Sequence, residues 1–287
     1  MKILFQSLIE TGRVPAYFTG MQKRVATLAR PGVTVDFIGM PEGIYGSSVP
    51  SEVVKYPYMA AMTEQIILDN ALRAQAEGYD VFAIGSVQDP ALEQARALLD
   101  IPVVGYGESA MHLACCLSGK FAVLVFQAGF DQMMDLRIQR LGLSARALPT
   151  QVIDADFAQV GRGLEDHEAL LEPFTRAARA AIERGAEAII PGQLYLSEAI
   201  VRAGLKRVDD VPVVDGLTAN LKMAEVMHDL RAAGISVTRR GYLHAQPPAD
   251  MVEHARRFQK RDDIARAHVV RGGNGDGGPA TGASRKA

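Results

Sequence analysis

The sequence predicts an α/β protein made of two similar half-domains, each with a parallel sheet, and three observations carry that prediction. Short apolar or β-branched runs alternate with longer amphipathic stretches. The runs are continuous rather than alternating, as in parallel strands covered on both faces. The same landmarks also occur twice in the same order. A strand ending in Phe-Gln closes at Phe5-Gln6 and again at Phe126-Gln127. Ala83-Ile84-Gly85-Ser86 is matched by Ile190-Pro191-Gly192-Gln193, and Ile101-Pro102-Val103-Val104-Gly105 by Val211-Pro212-Val213-Val214-Asp215.

After the N-terminal strand, further strands are expected over 33–38, 81–84, 102–104, 122–126, 188–190 and 211–214. Helices fill the gaps. The spans 63–76 and 164–184 carry apolar residues at helical spacing, and each reaches a glycine just past its end, Gly78 and Gly185, as a C-cap would. Asp89-Pro90 reads as an N-cap followed by proline at the first helical position. Asp215 stands where a strand hands over to a helix over 217–230. The span 39–50 is a Gly- and Pro-rich loop of the kind that serves as a lid or a binding loop. The tail 272–287 lacks apolar residues and is expected to be disordered.

With 287 residues, 48% of them hydrophobic and 22% charged, the chain has the balance of a globular protein. A net charge of -2 gives no electrostatic ground for a nucleic-acid or anionic-membrane partner. The N-terminal apolar stretch breaks too soon for a secretory signal, so a cytoplasmic protein is expected. Cys115 and Cys116 are sequence neighbours, which excludes a disulfide framework and offers no metal-ligand spacing.

In open α/β sheets ligands sit beyond the carboxyl ends of the strands, where helix N-termini present N–H groups. That rule selects Gln6, Ser7, Ser86, Gln88, Gln127, Gln193, Tyr195 and Asp215. Most are neutral hydrogen-bonding side chains, which suits a small molecule with carbonyl or carboxylate oxygens. The simplest structural reading of Asp89 and of Asp215 is an N-cap.

At these residues the chain resembles the hydantoin racemase branch of the aspartate/glutamate racemase superfamily. The stretch Ile84-Gly85-Ser86-Val87-Gln88-Asp89-Pro90 is similar to the family's apolar strand, Cys, two residues and Asp-Pro. Pro102-Val103-Val104-Gly105-Tyr106-Gly107-Glu108-Ser109-Ala110-Met111-His112 looks like its PVVGIGEAAxH stretch, Gly192-Gln193 falls on its second Gly-Cys, and Val211 through Gly216 on its VPVIDG. The resemblance implies two α/β half-domains related by a pseudo-twofold, 1–105 with 217–271 and 106–216. It also implies a homo-oligomer, no cofactor and no metal, and a small-molecule substrate between the halves.

Family racemases place one cysteine from each half against the substrate carbon, and here those positions are Ser86 and Gln193. A thiol with a reference pKa of about 8.5 can be tuned toward neutrality, whereas a serine hydroxyl is far less acidic and an amide does not titrate usefully. The family's NPNTS-like turn is also replaced, by Phe5-Gln6-Ser7-Leu8-Ile9. Candidates for the missing chemistry are Ser86 as nucleophile, Gln193 as an orienting amide, Glu108 as general base at a helix start, and His112 one turn on. Tyr195 and Tyr242 are candidate donors to an oxyanion, and Gly192 and Asp215 candidate substrate contacts. Arg239, Arg240 and His244 stand in a polar stretch that could close over the site. Each residue also has a structural reading: a helix-dipole acid for Glu108, a core histidine for His112, solvent-facing arginines.

The leading expectation is a cofactor-independent enzyme on a small carbonyl, carboxylate or cyclic-amide compound, diverged toward hydrolase or lyase chemistry. A racemase or isomerase with non-cysteine acid/base groups is the alternative, and a non-catalytic binder the third.

Overall fold

The computed structural model describes residues 1–166 and 168–259. Met1–Gln246 form one compact unit, and the chain from Pro247 a second, in which helix α11 (Ala249–Gln259) is described. The tail 272–287 lies outside the described residues.

The first sheet is built from β1 (Lys2–Glu10), β2 (Thr34–Met40), β3 (Val81–Gly85) and β4 (Val103–Gly105), all parallel in the order β2-β1-β3-β4. Between them run α1 (Pro15–Leu28), α2 (Pro50–Val54), α3 (Pro57–Ala76) and α4 (Leu92–Leu98). After β4, α5 (Tyr106–Leu117) leads to the second sheet. This holds β5 (Phe121–Val125), β6 (Gln151–Val152) and β7 (Ala188–Pro191), parallel in the order β6-β5-β7. It is accompanied by α6 (Phe130–Arg140), α7 (Phe157–Arg162), α8 (Glu168–Glu183) and α9 (Leu194–Arg202). The hairpin β8 (Arg207–Val208) and β9 (Val211–Pro212) then precedes α10 (Gly216–Ala232). Every residue of β3, β5 and β7 is buried, which is why these strands read as unbroken apolar runs.

Three expectations are corrected. The strand over 211–214 shrinks to a two-residue antiparallel arm, and only an isolated bridge from Val213 to Ile189 reaches the second sheet. The helix expected from 164 begins at Glu168, and the one expected from 63 already begins at Pro57, because a proline supports a first turn. Asp89 does not cap α4. It adopts a left-handed φ of 48°, and its carboxylate instead accepts the backbone N–H groups of Gly107 (2.8 Å) and Glu108 (2.7 Å), capping α5.

Two contacts set the seam between the sheets. Tyr106, the first residue of α5, donates its hydroxyl to the Pro191 carbonyl at 3.1 Å. Gly216, the first residue of α10, lies under the Tyr106 ring so closely that an added Cβ would stand 2.1 Å from Cζ. Further along α10, Asn220 donates to the Ile84 carbonyl at 3.0 Å, which fixes the end of β3.

Candidate functional site

β1 and β3 run side by side, with Ser7 opposite Gly85, and β7 delivers Gly192 and Gln193 from the other sheet. Between them lies a cavity of about 70 Å³. Ser7, Ser86, Gln88, Gln193 and Tyr195 all line it. Ser86 and Gln193, drawn from unlike halves of the repeat, therefore face one space.

Three of the residues lining the cavity hold buried polar atoms left unmatched among the described residues. Ser86 donates to Gln88 Oε1 at 3.3 Å, and Gln193 Oε1 accepts the Phe126 backbone N–H at 3.2 Å. Each of these interactions uses the amide oxygen and leaves the nitrogen. Gln88 Nε2, Gln193 Nε2 and the Ser51 hydroxyl are buried without a hydrogen-bond partner among the described residues. A buried donor left unmatched costs about 1–3 kcal/mol, so three around one cavity specify a ligand rich in acceptor oxygens.

The remaining walls are apolar and aromatic. Tyr195 stacks on Phe157 with centroids 4.8 Å apart and meets Tyr17 edge-on at 5.6 Å. Burial pushes the Tyr17 phenol well above its ordinary pKa, a shift its hydrogen bond with Ser7 partly offsets. Burial likewise raises Tyr195. Both stay protonated at neutral pH. Among the described residues, no carboxylate, imidazole, amine or thiol lines this cavity.

The other expected site residues lie elsewhere. Strand alternation sends Gln6 to the face opposite Ser7, where it accepts from Asn70 at 2.7 Å. Gln127 does not line the cavity, and Gly192 serves packing, since an added Cβ would stand 2.8 Å from Val125 Cγ1. Asp215 caps α10 through the N–H groups of Leu217 and Thr218 and pairs with Arg24. Glu108 and His112 fall two and six residues after Tyr106, so the helical turn carries both away from the buried seam. They line a separate groove with Arg96 and His244, and Arg96 pairs with Glu108 at 2.7 Å. Tyr242 is 97% exposed. Arg239 donates to the Arg96, Ala97 and Leu99 carbonyls and so closes the C-terminal end of α4.

Sequence reasoning missed Tyr17, Ser51, Phe126 and Phe157, all of which line the cavity. Tyr17 and Phe157 sit in helices with no local pattern to distinguish them. Ser51 and Pro50 lie where the loop over 39–50 meets α2. No group of three or more His, Cys, Asp or Glu among the described residues is placed to hold a metal ion, and no helix there is long and apolar enough to cross a membrane.

Residues 16–224 match the family model described as Asp/Glu/hydantoin racemase. A hydantoin racemase from Pseudomonas sp. (strain NS671) is 31% identical over 170 residues, which cover 57% of this chain and 64% of that protein, just under two thirds of its length. One from Rhizobium meliloti is 29% identical over 167 residues, 58% of this chain and 68% of that one. Among solved structures, the allantoin racemase from Klebsiella pneumoniae superposes with a TM-score of 0.69 at 25% identity, over 86% of this chain and 94% of that chain.

Proposed function

The chain belongs to the Asp/Glu/hydantoin racemase family, and on that premise we propose that it binds a small carbonyl, carboxylate or cyclic-amide compound in the Ser86–Gln193 cavity and acts on it as a lyase or hydrolase. Within the unit Met1–Gln246, the two half-domains we assign to the cleft are 1–105 with 217–246 and 106–216; of the rest of the expected first half, 260–271 lies outside the described residues. The observation that carries the reading is a cavity whose lining residues include three with buried unmatched donors and, among the described residues, no carboxylate, imidazole, amine or thiol. Racemisation begins with loss of a proton from carbon, and neither a serine hydroxyl nor phenols held protonated by burial can take it. A lyase step needs no base. The leaving group departs as an electrophile without the bonding pair, which moves onto the carbonyl oxygen. Gln88 Nε2 and Gln193 Nε2 hydrogen-bond to that oxyanion, and the carbon then takes a proton from a hydroxyl or water. Hydrolysis would require a water activated by the substrate itself. The racemase names of the relatives favour isomerisation as the second reading.

Incubation of single-enantiomer 5-substituted hydantoins, allantoin and 2-substituted malonates in deuterated water separates the readings. Net loss of substrate with one deuteron in the product marks a lyase, and oxygen from labelled water a hydrolase. Deuterium in recovered, optically decaying substrate marks an isomerase and overturns the proposal. Gln88→Leu and Gln193→Leu are each expected to lower turnover about 10²-fold, the scale of one lost oxyanion donor. Full activity in both would move the site elsewhere.

A further inference from the structure

Resting on that reading of the cleft, we propose that the substrate carries an anionic carboxylate tail, held in a second cavity that adjoins the first. This cavity measures about 300 Å³ and shares Val54 and Gln88 with the inner one as walls. The inner space of about 70 Å³ admits a carbonyl-bearing head and little more. Small-molecule sites generally enclose about 300–1,000 Å³, a range reached only when the neighbour is included.

The outer cavity is cationic. Lys55, at the end of α2, and Arg137 and Arg140 of α6 line it, against one acid, Glu64, among the described residues. Arg137 is committed to Asp89 (3.2 Å) and Glu93 (2.7 Å), although its buried Nε has no partner among the described residues. Lys55 and Arg140 are exposed, and neither makes an ion pair among the described residues. Burial and the neighbouring Glu93 raise the pKa of Glu64, while Arg140 pulls it down. In a chain of net charge -2 this is a local concentration of positive charge and not a property of the whole surface.

Gln88 stands at the junction. Its Oε1 accepts from Ser86, its Nε2 is buried and unmatched among the described residues, and the residue lines both cavities. A ligand whose head reaches Ser86 and Gln193 would pass this amide before its tail meets Lys55 and Arg140. Those two cations select for charge on the tail while the inner donors hold the head.

Isothermal titration of the full chain with hydantoin-5-propionic acid and with its uncharged amide tests the assignment. The acid is expected to bind about tenfold tighter, an excess that narrows at high salt as screening shortens the reach of exposed charges. Lys55→Gln and Arg140→Gln should each weaken the acid about fivefold and leave the amide unchanged. Both positions are exposed, so the variants should unfold at the wild-type temperature. Equal binding of acid and amide, or acid binding indifferent to both substitutions, removes the subsite. If both probes still lose binding in Ser86→Ala or Gln193→Leu, the reading of the cleft survives that result. If neither probe binds the wild-type chain, both readings fall.

Discussion

The Asp89 carboxylate accepts the backbone N–H of Glu108 at 2.7 Å, so an acid in the turn after β3 caps a helix that begins seventeen residues later in α5. Its other contacts are the Gly107 N–H and the Arg137 guanidinium, and it is buried. Burial pushes its pKa up from 3.8 to about 7, against the pull of Arg137 and the two N–H groups. Folded protein therefore holds a proton here that unfolded protein has released. The stabilisation is full below the unfolded value and is lost as pH rises through the folded one. Denaturation midpoints at pH 5 and pH 8 should show the wild type losing more stability than Asp89→Asn across that interval. An equal loss in both proteins would contradict the assignment.

Removing Arg24 should be costly. It pairs with Glu198 of α9 and with Asp215 ahead of α10, and the Glu198 side chain is fully buried. Burial raises the Glu198 pKa while Arg24 and Arg202 pull it down. Arg24→Ala leaves Glu198 only the longer 3.4 Å contact with Arg202, and a loss of about 3–5 kcal/mol is expected by urea unfolding. Adding Glu198→Gln should recover part of that loss.

Gly216 is required by close approach rather than by its backbone angle. The Cβ of Gly216→Ala would collide with the Tyr106 ring, whose hydroxyl holds the Pro191 carbonyl at the seam. Thermal unfolding should show a loss of about 1–3 kcal/mol, and relief of most of it when Tyr106 is also shortened to leucine would trace the cost to that contact.

Introducing two thiols tests the chemistry directly. Ser86→Cys with Gln193→Cys places titratable groups on both halves of one cavity. Deuterium exchange at the stereocentre of a 5-substituted hydantoin should rise at least about 10²-fold over wild type, the usual scale of general acid–base catalysis, and neither single substitution should suffice. Unchanged exchange in the double variant would mean that the two positions do not face the substrate carbon.

Much of the fold was legible because its signals are local. The buried runs of β3, β5 and β7 and the glycines after α3 and α8 can be read from neighbouring residues alone. The repeat also brought Ser86 and Gln193 to notice together, and both line the cavity. Asp89 was misread as a local cap because its true partners, Gly107 and Glu108, are distant in sequence. Glu108 was grouped with the site as an acid at a helix start and His112 as its neighbour one turn on, but rotation along α5 carries them to another groove.

By itself, then, the sequence determined the two parallel-sheet halves and placed a serine at 86 and a glutamine at 193, because periodicity and residue identity are written along the chain. Only the tertiary structure decided which side chains converge. Strand pleat separated Gln6 from Ser7, helix rotation removed Glu108, and the seam brought in Tyr17 and Phe157. Those outcomes depend on the orientation of whole elements packed against partners far away in the chain, and no local pattern encodes them.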